Sequence, residues 1–187
     1  MADALIVAAP SSGSGKTLIT LALLRALKNA GLRVASAKIG PDYIDPRFHE
    51  AASGQPCVNI DPWAMRKGLI TALLAAQAEG ADLVIIEGVM GLFDGPDKGK
   101  GSTADVAKEL GLPVVLVVDA SHQSQSVAAL VHGFATFRKG VKVSGVILNH
   151  VGSDRHHRLL AGALPKDLLV GAVLVLKYPN QPRKLLT

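Results

Sequence analysis

The sequence predicts an α/β fold of three layers, with helices on both faces of a mostly parallel central sheet. Three observations carry this expectation: short apolar runs recur along the chain, segments of helical period separate them, and a glycine-rich turn joins the first run to the first helical segment. The runs occupy residues 4–9, 32–38, 82–87, 113–119 and 143–149, rich in Val, Ile, Leu and Ala and bounded by Gly, Pro or Asp. Such runs suit parallel strands buried on both faces. Helical candidates fall at 17–29, 63–79, 102–110, 123–138 and 154–163. The period is clearest in 123–138, where Val127, Leu130, Val131, Phe134 and Phe137 share one face. This alternation implies right-handed crossovers, with ligands at the carboxyl ends of the strands. It gathers the loops at 10–16, 39–49, 88–101 and 120–123 on one rim. The stretch "GPDKGKGST", 95–103, reads as a mobile loop. Residues 1–164 are thus expected to form one domain. Residues 165–187 form a divergent or truncated tail that offers a sixth strand and then a polar, proline-containing end.

Composition narrows the function classes. A chain of 187 residues, 49% hydrophobic and 19% charged with 19 glycines, has the material for one core. Aromatic residues make up only 4%, too few for base-stacking platforms. The net charge of +5 comes from scattered lysines and arginines, which fits a solvated surface or a polyanionic small molecule and argues against a nucleic-acid partner. The single cysteine, Cys57, excludes an internal disulfide and suits a reducing, cytoplasmic setting. The N-terminus lacks a charged signal region, and "ALIVAAP" is too short to span a bilayer, so no membrane role is expected.

The first strand runs into "VAAPSSGSGKTLIT". A phosphate cradle needs glycines that let backbone N–H groups converge on an anion, a lysine that reaches the outer phosphates, and a hydroxyl for Mg²⁺. Gly13, Gly15, Lys16 and Thr17 supply these in order, and the hydroxyls of Ser12 and Ser14 add donors. The full eight-residue pattern begins with glycine where this chain has Pro10. The strand-to-helix context still places the loop in a fold of the P-loop NTPase type. Partition and nitrogenase-iron-protein ATPases carry a further lysine early in this loop, where Ser11 stands here, which counts against a dimeric ATPase switch.

Two acidic loops follow the second and third predicted strands. "KIGPDYIDPRFHE" holds Lys38, Asp42, Tyr43, Asp45 and His49; "EGVMGLFDG" holds Glu87 and Asp94. Mg²⁺ takes carboxylate oxygens together with phosphate and water, so Thr17, Asp42 and Glu87 are its candidate ligands. Asp42, Asp45 and Asp94 also stand beside proline or glycine, as turn formers do. Glu87 is harder to explain away, because a carboxylate ending a buried strand needs a partner. Ser102 and Asp105 have the spacing of a helix cap. Asp119 and Ser121 touch phosphate or cap a helix, and Asn149 reads an adenine edge or turns the chain. His156 and His157, adjacent on a helix, point different ways and are assigned to the surface.

Taken together, "PSSGSGKT", "KIGPDYIDPRFHEAASGQP", "EGVMGLFDG", "GSTADVAKELGLPVVLVVDAS", "SVAALVHGF" and "GVILNHVGSDRHH" resemble the N-terminal synthetase domain of cobyrinic or hydrogenobyrinic acid a,c-diamide synthases, over about Leu5 to Leu160. Dethiobiotin synthetase is similar in fold and loop logic but lacks these strings. The resemblance implies ATP- and Mg²⁺-dependent amidation of two carboxylates on a corrin ring through acyl phosphates, with glutamine as nitrogen source. It implies that Ser12 to Thr17 hold the phosphates, with Lys16 compensating charge in transfer. By the same resemblance Asp42 and Glu87 join Thr17 on Mg²⁺, Lys38, Tyr43, Asp45 and Asp94 line the transfer site, and Asn149 approaches the adenine. Family members continue into a glutaminase domain with a cysteine nucleophile, and Cys57 lacks the strand-to-helix elbow to replace it. The sequence therefore leaves open a truncation, a split subunit with a glutaminase partner, or a fragment, and it leaves open a homodimer. Two other readings stand beside the enzyme: a partition-type nucleotide switch, and an ATP-binding remnant without turnover.

Overall fold

The computed structural model describes residues 2–97 and 100–174. Thirteen elements follow one another: β1 (Asp3–Ala8), α1 (Lys16–Asn29), β2 (Val34–Ile39), α2 (Asp45–Ser53), β3 (Cys57–Ile60), α3 (Lys67–Ala78), β4 (Leu83–Glu87), α4 (Thr103–Leu110), β5 (Pro113–Asp119), α5 (Val127–Thr136), β6 (Lys142–Val151), α6 (Asp154–Ala163) and β7 (Leu169–Leu174). The strands form one sheet in the order β3-β2-β4-β1-β5-β6-β7, with every pairing parallel. Strands buried on both faces need apolar side chains on both, and all six residues of β2 are buried.

Right-handed crossovers decide the layers. From β1 the chain winds outward through α1 and α2 on one face, where Ile19, Leu24 and Ala52 pack against Val7, Val34, Ile85, Val117 and Ile147. From β3 it returns through α3, α4, α5 and α6 on the other face, where Ile70, Val106, Val131 and Leu160 cover Ile6, Ile86, Leu116 and Leu148. The direction of winding reverses on either side of β1 and β4. A crevice opens there at the carboxyl ends, the usual ligand position in such sheets.

Two elements differ from the sequence-based expectation. The stretch 39–49 is a loop only to Ile44; Asp45 to Ser53 is helical, with Pro46 in the first turn, where its missing N–H is no loss. The four-residue β3 is too short to stand out as an apolar run. The tail continues the sheet at its start, since β7 pairs with β6, so a boundary at residue 164 does not coincide with the sheet's edge. The remainder of the tail, 175–187, and Lys98 and Gly99 of the 95–103 loop lie outside the described residues. Among the described residues no helix is long and apolar enough to cross a membrane.

Ser102 and Asp105 form a full capping box at the start of α4: the Ser102 hydroxyl accepts from Asp105 N–H, and the Asp105 carboxylate accepts from Ser102 N–H. Asp105 also receives Arg138 at 2.9 Å. Ser102→Ala should lower unfolding free energy by about 1 kcal/mol, read as a shift in the urea midpoint at constant slope. No shift would mean that Arg138 and the remaining backbone bonds suffice.

Candidate nucleotide and phosphoryl-transfer site

β1 ends in the phosphate loop. Gly13 and Gly15 have φ of +83° and +84°, a left-handed backbone open to glycine without strain. A Cβ on Gly13 would face open space, and one on Gly15 would collide with the Asn149 amide. The Ser14 hydroxyl donates to the Ser11 carbonyl at 3.0 Å, while Ser12 stays exposed. Asn149, 2% exposed at the end of β6, donates from Nδ2 to the Ser14 carbonyl at 3.0 Å. Through this bond Asn149 braces the loop from behind.

Lys16 opens α1 half-buried. Burial lowers its pKa, Glu87 raises it back in part, and the Lys38 charge lowers it again. Among the described residues no carboxylate lies within ion-pair distance, 4.0 Å, of its ammonium. A half-buried cation without a contact counter-ion, beside a glycine-lined opening, fits a polyphosphate.

One turn of register builds the acidic cluster. Parallel pairing sets Glu87 of β4 opposite both Val7 of β1 and Lys38 of β2, so both side chains emerge on the α1 face. Glu87 is 0% exposed. Its Oε1 accepts from the Thr17 hydroxyl at 2.6 Å and from Lys38 Nζ at 3.0 Å, and its Oε2 faces His49 Nε2 at 2.7 Å. Burial alone would raise the Glu87 pKa; His49, Lys38 and Thr17 outweigh it and hold the carboxyl below its ordinary range. Lys38 bridges onward to Asp45 at 2.8 Å, and the two carboxylates outweigh its burial and lift its pKa.

Asp42 is placed differently from the sequence-based expectation. Its Oδ1 accepts the N–H groups of Ile44 and Asp45, closing the turn into α2, and its Oδ2 stays 3.9 Å from Lys38. Of these two aspartates it is Asp45 that approaches Thr17, its Oδ2 3.3 Å from the hydroxyl oxygen, beside the shorter contact of that hydroxyl with Glu87. Thr17, Asp45 and Glu87 form a hard oxygen set that fits Mg²⁺, whose other positions go to phosphate and water. Among the described residues no group of three or more His, Cys, Asp or Glu is arranged to hold a metal.

The other acidic loop packs against the phosphate loop. Gly88 and Leu92 donate their N–H groups to the Val7 and Ala9 carbonyls. Phe93 stacks on Phe134 of α5 with centroids 5.5 Å apart. Asp94 does not touch Thr17, Lys38 or Glu87; its Oδ2 accepts from Gly91 N–H at 2.9 Å, and it lines a neighbouring cleft. Gly40, Pro41, Asp61, Pro62, Trp63, Val89, Met90, Gly95, Pro96 and Gly101 complete that cleft of about 420 Å³. Trp63 and Met90 are exposed, and Met90 holds a φ of +48°, uncommon outside glycine. Tyr43, 87% exposed, stands clear of the cluster on the loop before α2.

Two residues of this region had no role assigned from sequence, His49 and Trp63. With 45–53 read as a helix, His49 falls one turn after Asp45 on the same face, which is the signal that would have joined it to the cluster. Trp63 carried no periodic or motif signal.

His49 gives the site a pH signature. Burial alone would lower its pKa, but contacts with Cys57 and Glu87 raise it from 6.5 to about 9. A group whose pKa rises on folding contributes stability that is full below the unfolded value and lost as pH rises through the folded one. In the metal-free protein the urea midpoint should therefore fall between pH 6.5 and about 9, and His49→Gln should flatten that fall. An equal fall in the variant would remove the assignment to His49.

Comparison with known proteins agrees with this geometry. Residues 5–177 match the family model described as the CobQ/CobB/MinD/ParA nucleotide binding domain. The chain is 62% identical over 160 residues to the hydrogenobyrinate a,c-diamide synthase of Brucella suis biovar 1, covering 85% of this chain and 37% of that protein. Against the synthase of the same description from Rhizobium meliloti it is 59% identical over 162 residues, covering 87% and 38%. Against that of Mesorhizobium japonicum it is 50% identical over 188 residues, covering 98% and 43%. The chain thus spans less than half the length of these relatives. Among solved structures, the signal recognition particle receptor FtsY of Elizabethkingia anophelis superposes with a TM-score of 0.63 at 17% identity, covering 91% of this chain and 57% of that one. Hydrogenase maturation factor HypB of Archaeoglobus fulgidus gives 0.57 at 16%, covering 91% and 80%. These two share the P-loop NTPase-like fold alone. A strand-to-helix phosphate loop at the reversal point of a parallel sheet, matched by sequence along nearly the whole chain, makes this protein a member of the CobQ/CobB/MinD/ParA nucleotide binding domain family, with hydrogenobyrinate a,c-diamide synthases among its relatives.

Proposed function

We propose that the chain is the ATP-dependent half of an amide synthase acting on the side-chain carboxylates of a corrin ring, hydrogenobyrinic or cobyrinic acid. The observation that carries the proposal is the apolar cleft beside Trp63 and Met90, which opens on the same rim as the phosphate loop and the Lys38–Glu87 cluster. A flat macrocycle with acidic arms needs an apolar surface for its face and a cationic place for its arm, and this rim offers both.

A carboxylate is a poor electrophile. In the proposed reaction its oxygen attacks the γ-phosphorus of ATP, the bond to ADP breaks, and an acyl phosphate forms. Ammonia then attacks the acyl carbon and phosphate leaves with the electron pair of the C–O bond. No protein nucleophile is needed, so the chain's task is positioning and charge. Ser12 to Thr17 supply loop donors, and Lys16 offsets charge on the transferring group. Lys38, beside Asp45 and Glu87, offers a cationic contact to the incoming carboxylate. Asp94 and Tyr43, at the cleft and its approach, orient the substrate. Thr17, Asp45 and Glu87 would hold Mg²⁺, which would supply neutralisation of phosphate charge. Ammonia comes from glutamine through a glutaminase domain or partner, or from solution.

The direct test is incubation with ATP, Mg²⁺, ammonium and hydrogenobyrinic acid, with amide products followed by mass. Products lighter by the replacement of first one and then two hydroxyls by amines are expected. ATP binding without product would reduce the chain to a nucleotide-binding remnant. Lys16→Ala and Glu87→Gln should abolish turnover in folded protein, and activity retained in either would remove its assigned role. Trp63→Ala should raise KM for the corrin acid about tenfold, on the order of 1.4 kcal/mol, while leaving ATP affinity alone; an unchanged KM would move the macrocycle elsewhere.

A further inference from the structure

We propose that His49 is the positioning residue of the metal-binding carboxylate: by holding Oε2 of Glu87 it presents Oε1 alone to Thr17. This inference rests on the reading of Glu87 as a Mg²⁺ ligand. The two oxygens of Glu87 have separate partners. Oε1 faces Thr17 at 2.6 Å and Lys38 at 3.0 Å, on the phosphate-loop side, and among the described residues Oε2 faces only His49, at 2.7 Å. Both side chains are 0% exposed, so the contact is made without competition from bulk water.

The ring is held at both nitrogens: Nε2 faces Glu87 at 2.7 Å and Nδ1 lies 3.5 Å from the Cys57 sulfur at the start of β3. A carboxylate accepts and cannot donate, so Nε2 carries the hydrogen whether the ring is neutral or charged. In the neutral ring Nδ1 is then bare and accepts from the Cys57 thiol, which selects the Nε2–H tautomer. In the charged ring Nδ1–H donates toward sulfur. Cys57 thus acts as the outer support of a Cys57–His49–Glu87 line that ends at Thr17, with no nucleophilic step assigned to the thiol. Outer partners of this kind commonly change metal affinity 10–100-fold when removed, because the ligand is left free to turn or to take up a proton.

The test uses the chain with ADP and Mn²⁺ as the probe cation, free Mn²⁺ being counted by electron paramagnetic resonance. His49→Leu should weaken Mn²⁺ binding by about 10–100-fold while metal-free ADP binding in EDTA stays within about twofold. Gln places an amide nitrogen near the Nε2 position and Asn one near Nδ1, so His49→Gln should restore most of the affinity and His49→Asn should not. That polar pair also carries the test if His49→Leu fails to fold. A merely structural role would lower thermal stability in both without separating their Mn²⁺ affinities. Wild-type protein that binds no Mn²⁺ with ADP would overturn the Mg²⁺ reading and this inference together. Normal wild-type binding with Gln and Asn indistinguishable would overturn the inference alone, as would imidazole ¹⁵N shifts in the wild-type protein that place the hydrogen on Nδ1 only.

Discussion

A carboxylate with no exposed surface at the end of a central strand governs this structure. Moving an unpaired carboxylate out of water costs several kcal/mol even after relaxation, so Glu87 can exist there only because three donors reach it. Each donor comes from a different part of the fold: Thr17 from the first turn of α1, Lys38 from β2, and His49 from α2. The ion pair follows from strand register, the hydroxyl from the length of the phosphate loop, and the imidazole from the way α2 lies over β2 and β3. A slip of one residue in β2 would send Lys38 to the opposite face and leave Glu87 without its charge partner. The site and the sheet are therefore specified by the same contacts.

The layers on either side of that carboxylate have different tasks. On the α1 face, buried polar groups converge; on the other, the loop after β4 is laced to β1 by backbone bonds and anchored by Phe93 against α5. The reversal of winding next to β1 separates these two sets of loops and opens the crevice between them. The phosphate loop and the cleft at Trp63 and Met90 both lie at the carboxyl-end rim of the sheet.

The parts legible in the sequence were those with a local signal. Buried parallel strands and long amphipathic helices announce themselves by composition and period, and β1, β4, β5 and β6 fell within a few residues of the expected runs. The phosphate loop was legible because its glycine and lysine requirements are local too. What escaped depended on tertiary context. β3 is four residues long and of mixed polarity, and α2 begins among Asp and Pro, so both were masked by turn chemistry. With α2 unseen, the sequence pointed to Asp42 as the metal ligand and gave Asp45 a place at the transfer site; the helix shows that Asp42 closes its entry turn while Asp45 faces Thr17. Asn149 could be placed at a strand end but not oriented, because its partner, the Ser14 carbonyl, lies 135 residues away.

Cys57 shows how geometry divides roles among groups of similar chemical promise. A cysteine beside a histidine that in turn faces a carboxylate has the composition of a nucleophilic triad, yet the line runs the wrong way for one. The carboxylate end points at Thr17 and the phosphate loop, while the sulfur sits at the start of an edge strand, away from the strand ends where a substrate approaches. A nucleophile needs its reactive atom at the open end of such a line; here the open end is an oxygen suited to a cation. The same three residue types thereby serve charge placement instead of covalent chemistry. Charge placement of this kind is what the proposed phosphoryl transfer to a carboxylate would ask of the chain, since there the attacking atom belongs to the substrate.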